Sequence, residues 1–261
     1  MTPTRLVVGG CCGRMGSLIV EEAAREPARF QVVGGVESEG HPQLGRPLSG
    51  SNSAKVTSDL GGLLRGADLL IEFTTPAATL EHARAAAKGG VPMIIGTTGL
   101  SEERLEELRS LARQIPIFWS PNMSVGIVIV RRMIQALSQL LLQFGLAEKT
   151  QVKIAEVHHT RKVDKPSGTA KALARELFEA TGWLIRDEEI EARREGDVVG
   201  IHSVSFRLPS ENLTLQHEAT DRRVFAQGAL LVAGHFHRLW TQPGWYGMDH
   251  FVAALQESPR K

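Results

Sequence analysis

The sequence predicts an α/β protein in two parts: a doubly wound, mainly parallel sheet, and an α+β part built on an open mixed sheet. Three observations carry this. The N-terminus reads as an apolar strand, a glycine turn and a helix. Strand and helix patterns then alternate to about residue 122. Beyond it a long apolar helix, three strand-like segments and a helical tail break the alternation. Domains are expected at 1–122, completed by 223–261, and at 123–222.

Arg5 to Gly9 is a short apolar strand. Gly10-Cys11-Cys12-Gly13-Arg14-Met15-Gly16 follows, then a helix from about Ser17 to Arg25. This order is a dinucleotide-binding opening: glycines let the backbone approach a pyrophosphate, and the helix N-terminus favours its charge. The motif departs from strict G-x-G-x-x-G because Cys12 holds the place of the second glycine. The adjacent cysteines read as small residues filling a tight turn, with a redox role as the alternative. Gln31 to Val36 is a second strand ending in Glu37, placed either to bond the adenosine ribose hydroxyls or as a solvent-facing loop carboxylate.

A loop rich in Gly, Pro and Ser is expected from Ser38 to Ser53. Leu69 to Phe73 is a strand, and Thr74-Thr75-Pro76 opens a helix to Lys88, with Pro76 suited to the first turn. Pro92 to Ile95 ends in Gly96-Thr97-Thr98-Gly99, and Ser101 to Arg104 opens another capped helix. Ile115 to Trp119 ends in Ser120-Pro121-Asn122. In an open parallel sheet the ligand lies across such strand ends; taken singly, each loop reads equally as ordinary turn chemistry.

In the second part Val125 to Phe144 is a long, mostly apolar helix. Gln151 to Val157 alternates polar and apolar residues and reads as a strand. It leads into Glu156-Val157-His158-His159-Thr160-Arg161-Lys162-Val163-Asp164-Lys165-Pro166-Ser167-Gly168-Thr169-Ala170. Ser167 is a good N-cap, and Thr169 to Ala180 a good helix with Leu173, Leu177 and Phe178. Strand, cationic loop and helix N-terminus together can hold a small acid beside a histidine able to protonate it. The competing reading is a solvated loop with polar edge histidines. No metal is expected, because adjacent strand residues point to opposite faces and His158 and His159 would not share an ion. Val198 to Phe206 and Leu213 to His217, joined by a turn over Arg207 to Asn212, complete a mixed sheet with helices on one face. A partner subunit's sheet could cover the other. Val224 to Trp240 and Met248 to Leu255 are helices expected to pack back on the first domain.

The 261 residues carry a net charge of +1, which suggests no nucleic-acid or anionic-membrane partner. The two cysteines are adjacent, so no disulfide framework exists. With no leader pattern and no segment read as long and apolar enough to span a bilayer, a cytoplasmic protein is expected.

The run from Glu156 to Ala170, with Gly10-x-x-Gly13-Arg14-Met15-Gly16, Glu72-Phe73-Thr74, Gly96-Thr97-Thr98-Gly99, Asn122-Met123-Ser124-Val125-Gly126 and Pro243-Gly244-Trp245-Tyr246-x-Met248, resembles the dihydrodipicolinate (4-hydroxy-tetrahydrodipicolinate) reductase family of the diaminopimelate and lysine pathway, over essentially the whole length. The resemblance implies a Rossmann-like dinucleotide-binding domain and an α+β substrate and oligomerisation domain assembling as a homotetramer. It implies hydride transfer from NADH or NADPH to C4 of a cyclic imine dicarboxylate, with loss of water. It implies His158 as proton donor and Lys162 as second catalytic group, with His159, Ser167, Gly168 and Thr169 on the substrate. Cofactor contacts are implied at Gly10, Gly13, Arg14, Met15, Glu37, Phe73, Gly96, Thr97, Thr98, Ser120, Pro121, Asn122 and Met123, and at Arg222 and Phe225. The chain departs from the family at Ile201, where Glu is usual before the histidine, and matches it poorly over Arg186 to Glu195. Family members that use NADPH well carry basic residues where this chain has Ser38 and Thr75, so NADH is expected to be preferred or used equally. A nicotinamide enzyme acting on another small acid, and a non-catalytic nucleotide sensor, are the alternatives.

Overall fold

The computed structural model describes residues 2–50 and 54–257. In chain order the elements are β1 (Thr4–Gly9), α1 (Arg14–Arg25), β2 (Phe30–Val36), β3 (Val56–Thr57), α2 (Leu60–Leu64), β4 (Leu69–Glu72), α3 (Pro76–Gly89), β5 (Met93–Ile95), α4 (Glu102–Leu111), β6 (Pro116–Trp119), α5 (Val125–Gln143), β7 (Gln151–His158), α6 (Gly168–Thr181), β8 (Glu191–Arg194), β9 (Gly200–Arg207), β10 (Asn212–Ala219), α7 (Arg223–Leu239), β11 (Gly244–Tyr246) and α8 (Met248–Glu257). They divide into two units: Met1–Met123 with Arg223–Lys261, and Ser124–Arg222.

In the first unit seven parallel strands are ordered β11-β6-β5-β4-β1-β2-β3. Leu6, Val7, Val8, Leu70, Ile71, Ile94 and Ile95 are wholly buried, as strands covered on both faces require. The order reverses between β1 and β4, so the turn after β1 opens at the switch point where such sheets take ligands. Local chemistry sets the helix starts. Thr75 accepts the Ala78 amide with Pro76 in the first turn, and Ser101 accepts that of Arg104. α1 begins at Arg14, three residues earlier than expected, with Gly13 in the cap position and no side-chain cap. β3, α2 and β11 were not foreseen; two to five residues are too few for a periodicity to show. Residues 51–53 of the expected 38–53 loop lie outside the described residues.

In the second unit β10-β9-β7-β8 form a mixed sheet, antiparallel except for β7 with β8. Ile154, Val204 and Phe206 point inward against Ile134 of α5 and Leu173 and Leu177 of α6. β8, in the charged segment, was unexpected. β9 starts at Gly200 rather than Val198, and Arg207 pairs with Asn212 as strand, leaving a four-residue turn. By length and composition α5 is long and apolar enough to cross a membrane, contrary to the sequence reading. Its buried stripe of Ile127, Val130, Ile134, Ser138 and Leu141 follows the helical repeat, and Arg131 in mid-helix pairs with buried Glu176 of α6 at 2.7 Å. These are the features of a helix packed on a protein core.

Candidate active site

The titratable groups of the second unit gather at the end of β7. Glu156 and His158 are two residues apart on the strand, so their side chains leave the same face; both are buried. Glu156 accepts the Ser167 amide at 3.0 Å, the Ser167 hydroxyl, and both terminal nitrogens of Arg194 at 3.2 Å. His158 Nδ1 lies 3.5 Å and His202 Nε2 3.8 Å from the same carboxylate. The His158 and His202 rings meet edge to face with centroids 4.9 Å apart. His217 follows at 6.4 Å from His202 and is 3.0 Å from the Ser124 hydroxyl.

Burial makes these imidazoles weak bases. His158 is pushed down to about 4 by burial, with Lys162 and Arg194 adding to the effect and Glu156 opposing it. His202 is pushed down to about 3 by burial and then by His158, His217 and Lys162; His217 is lowered by burial. At neutral pH His158 is therefore uncharged, and its approach to Glu156 is not an ion pair. A bound dianion would act the other way and raise its proton affinity.

The loop after β7 is tied down from β8. Arg194 donates through Nε to the Lys162 carbonyl at 3.2 Å and through Nη2 to the Asp164 carbonyl. Lys162 Nζ is 2.7 Å from Asp164. Burial raises the Asp164 carboxyl, but the Lys162 hydrogen bond and charge outweigh it and leave it below the ordinary range. The Lys165–Pro166 peptide is cis. Ser167 then caps α6, accepting the Ala170 amide at 3.2 Å. Its side chain is buried and bonded to Glu156 and Ala170, so Ser167 also positions Glu156. Gly168 is exposed, with open space where a Cβ would lie, and Thr169 is half-buried beside it. His159 follows the end of β7 and is half-buried.

In the first unit the turn after β1 is a cradle. Gly10 has φ +70°, and a Cβ there would lie 2.8 Å from the Phe73 carbonyl oxygen; a Cβ at Gly16 would collide with the Gly10 carbonyl. Only glycine fits either place. The Gly13 amide donates back to Gly10 at 2.9 Å. Arg14 is exposed and Met15 half-buried at the start of the uncapped α1, whose amides and dipole suit a pyrophosphate. Glu37 reaches across from β2 and accepts the Cys12 amide at 2.7 Å. The Phe73 ring lies against Gly96, where a Cβ would strike it. Thr97 is buried and accepts the Thr74 amide at 3.1 Å and the Thr79 hydroxyl at 2.8 Å, while Thr98 is exposed. Ser120 shares its hydroxyl with the Asn122 carbonyl at 2.6 Å, next to exposed Pro121. Met123 is buried, and Phe225 is half-buried in the first turn of α7; Arg222, half-buried, closes the second unit.

The sequence reading missed three groups. Glu156 lay within the motif but was given no role. Arg194 lay in the charged stretch that matched poorly. His202 takes an inward position on β9 between Gly200 and Val204, and a polar residue in such a row is itself a signal. A pair between buried Glu72 and half-buried His82 at 2.8 Å also went unread. His158, Glu156 and His202 lie together, and among the described residues Cys11, Cys12 and Glu37 form a second such group of possible ligand atoms.

The family model for the N-terminus of dihydrodipicolinate reductase matches residues 4–123, and that for its C-terminus matches residues 126–252. The chain is 37% identical to 4-hydroxy-tetrahydrodipicolinate reductase of Syntrophobacter fumaroxidans, over 95% of this chain and 98% of that protein. It is 37% identical to the enzyme of the same name from Desulfovibrio desulfuricans, over 94% and 98%. Among solved structures, dipicolinate-bound dihydrodipicolinate reductase from Paenisporosarcina sp. TG-14 shares the fold, with TM-score 0.74 and 21% identity over 96% of this chain and 99% of that one. The chain belongs to the dihydrodipicolinate reductase family.

Proposed function

We propose that the protein reduces 4-hydroxy-tetrahydrodipicolinate to tetrahydrodipicolinate with NADH or NADPH, in diaminopimelate and lysine biosynthesis. The observation that carries this reading is the set of Glu156, His158, Lys162 and the α6 N-terminus held together by Arg194. The curated relatives, similar over nearly the full chain, support it.

The bound cofactor supplies the hydride. In the first unit the free amides of α1 bind the pyrophosphate, and Glu37 accepts from the ribose. In the second unit Lys162 and the Gly168 and Thr169 amides hold the substrate carboxylates. His158 donates the proton as negative charge develops on the ring. It is neutral in the free protein, and the dicarboxylate is what raises its proton affinity into the working range. Asp164 holds the Lys162 ammonium in place at 2.7 Å, while Glu156 orients His158.

The solvent face of the four-stranded sheet carries Lys153, Ser203, Ser205 and Thr214, all exposed or half-buried. A homotetramer joined through these sheets follows from the resemblance and would cover them, and a cytoplasmic location suits this activity. The decisive experiment generates the cyclic imine in situ and follows NADH absorbance. Oxidation that depends on the imine is expected. Turnover of an aldehyde or keto acid with none of the imine would support the other nicotinamide-enzyme reading. Light scattering would give the tetramer mass.

A further inference from the structure

The cofactor turn holds a group the reduction does not use. Cys12 Sγ is exposed where a glycine would leave nothing, and Cys11 Sγ fills the space above Gly35. The two sulfurs are 3.8 Å apart. Each lies within 4.8 Å of a Glu37 carboxylate oxygen. Two thiolates bound to one tetrahedral zinc at about 2.3 Å are themselves about 3.8 Å apart, so the sulfurs already have the separation of a shared ion. A cleft of about 440 Å³ lined by Cys11, Cys12, Ser17 and His41 gives access to both.

A disulfide is the other use of two cysteines, and the geometry disfavours it. Adjacent Cα atoms are about 3.8 Å apart across a trans peptide, below the roughly 4.4–6.8 Å that a disulfide spans. The local charges favour a cation. The Glu37 carboxylate lies beside both sulfurs. The same carboxylate that resists a bare thiolate attracts a dication, and a coordinating thiol loses its proton outright. The Glu156–His158–His202 group is a weaker candidate, since Arg194 and Lys162 beside it repel a cation.

We propose that Cys11 Sγ, Cys12 Sγ and the Glu37 carboxylate form a site for one thiophilic divalent cation, zinc or cadmium, with water in the fourth position. Softness of the donors selects such ions over magnesium or calcium. On the reading above that Glu37 accepts the dinucleotide ribose, metal and cofactor compete for one carboxylate, and a thiophilic ion becomes an inhibitor of the empty enzyme.

The test is calorimetric titration of the reduced, cofactor-free protein with zinc chloride. One ion per chain is expected, with proton release. Loss of an outer-shell partner costs about 10–100-fold in metal affinity, and a ligand at least as much. Cys12→Ser, at an exposed position, should therefore weaken binding by about a hundredfold or more, and Glu37→Gln by about tenfold or more. Cobalt in place of zinc should show a thiolate charge-transfer band that Cys12→Ser at least halves. Zinc binding that Cys12→Ser leaves intact overturns the site. Binding that is lost in Cys12→Ser yet indifferent to saturating NADH upholds the metal site and overturns the placing of the ribose at Glu37.

Discussion

Arg194 and Glu156 form a buried fork in which both terminal nitrogens of Arg194 lie 3.2 Å from one oxygen of Glu156. Their side chains are 14% and 0% exposed. The same guanidinium holds the carbonyls of Lys162 and Asp164, so one side chain fixes both the carboxylate beside His158 and the backbone carrying Lys162. Removing one partner of a buried pair costs about 3–5 kcal/mol, because a charge is left uncompensated. Arg194→Ala is expected to lower the unfolding midpoint and to cut kcat by about tenfold or more. Arg194→Lys keeps the charge but cannot span the acceptors, so it should regain stability while kcat stays low and NADH affinity is unchanged. A Lys variant with full kcat would reduce Arg194 to a structural role.

His158→Gln and Lys162→Ala are expected to cut turnover by about a hundredfold or more each, the usual scale for general acid groups. NADH affinity should stay near that of the parent protein, because both residues lie in the second unit and the glycine turn in the first. Calorimetry on each folded variant separates the two effects. Loss of NADH binding would count against this division of labour.

The depressed histidines make stability depend on pH. His158 at about 4 and His202 at about 3 bind fewer protons folded than unfolded, where the value is 6.5. Their contribution is complete above pH 6.5 and is lost as pH falls toward 4 and then 3. At about 1.4 kcal/mol per unit for each group, the loss between pH 7 and 5 is on the order of 4 kcal/mol. His82 acts in the opposite sense: burial lowers it, but Glu72 outweighs burial and raises it above its ordinary value. Its contribution is present below pH 6.5 and fades as pH rises past its folded value. Urea unfolding at pH 7, 6 and 5 should show falling stability, and His202→Gln about half that slope. A flat profile would mean that the imidazoles are hydrated in solution.

Where the chain carries strong periodicity or a named cap, its fold was legible. β7, α3 and α6 were readable from the alternation at Gln151–Val157, Pro76 after Thr75, and Ser167 before an apolar helix. β11 was not, because Gly244–Tyr246 is a strand only by pairing with β6. β8 was hidden for the same reason, since Glu191–Arg194 is charged and gains its conformation from β7. The site divided likewise. His158, Lys162 and the glycine turn are local motifs. Arg194 is 38 residues from Glu156, and no local pattern encodes that pairing. Ser167 was read correctly as a cap, and its link to Glu156 depends on where the strand ends.

A planar pyridine dicarboxylate should bind competitively with the substrate and take up a proton. The proposed site brings Lys162 and the Gly168 and Thr169 amides beside a His158 held near 4, and a dianion beside that imidazole raises its pKa. Calorimetry at pH 6 in buffers of different ionisation enthalpy should show net proton uptake, reduced in His158→Gln. At about a hundred times its Kd the ligand adds about 2.7 kcal/mol. An absence of thermal protection by millimolar ligand with NADH would remove the carboxylate sites.

NADH is expected to be used at least as well as NADPH. The cleft beyond the end of β2, of about 670 Å³, is lined by Glu37, Glu39, Asp59 and Glu81. Four carboxylates repel the 2′-phosphate that a cation would have to welcome. Ser38 and Thr75 supply none. His82 lines the same cleft, but its Nδ1 is spent on Glu72 at 2.8 Å. Glu37 already accepts the Cys12 amide through one oxygen, and its second suits a free ribose hydroxyl. Arg14 is an exposed cation at the start of α1. Catalytic efficiency should be compared for both cofactors at low ionic strength, where charge effects are least screened. Ser38→Arg should shift the ratio toward NADPH, and Arg14→Ala should lower whatever NADPH activity the parent shows. A tenfold preference for NADPH in the parent protein would show that Arg14 or a loop cation such as Arg46 overcomes the four carboxylates.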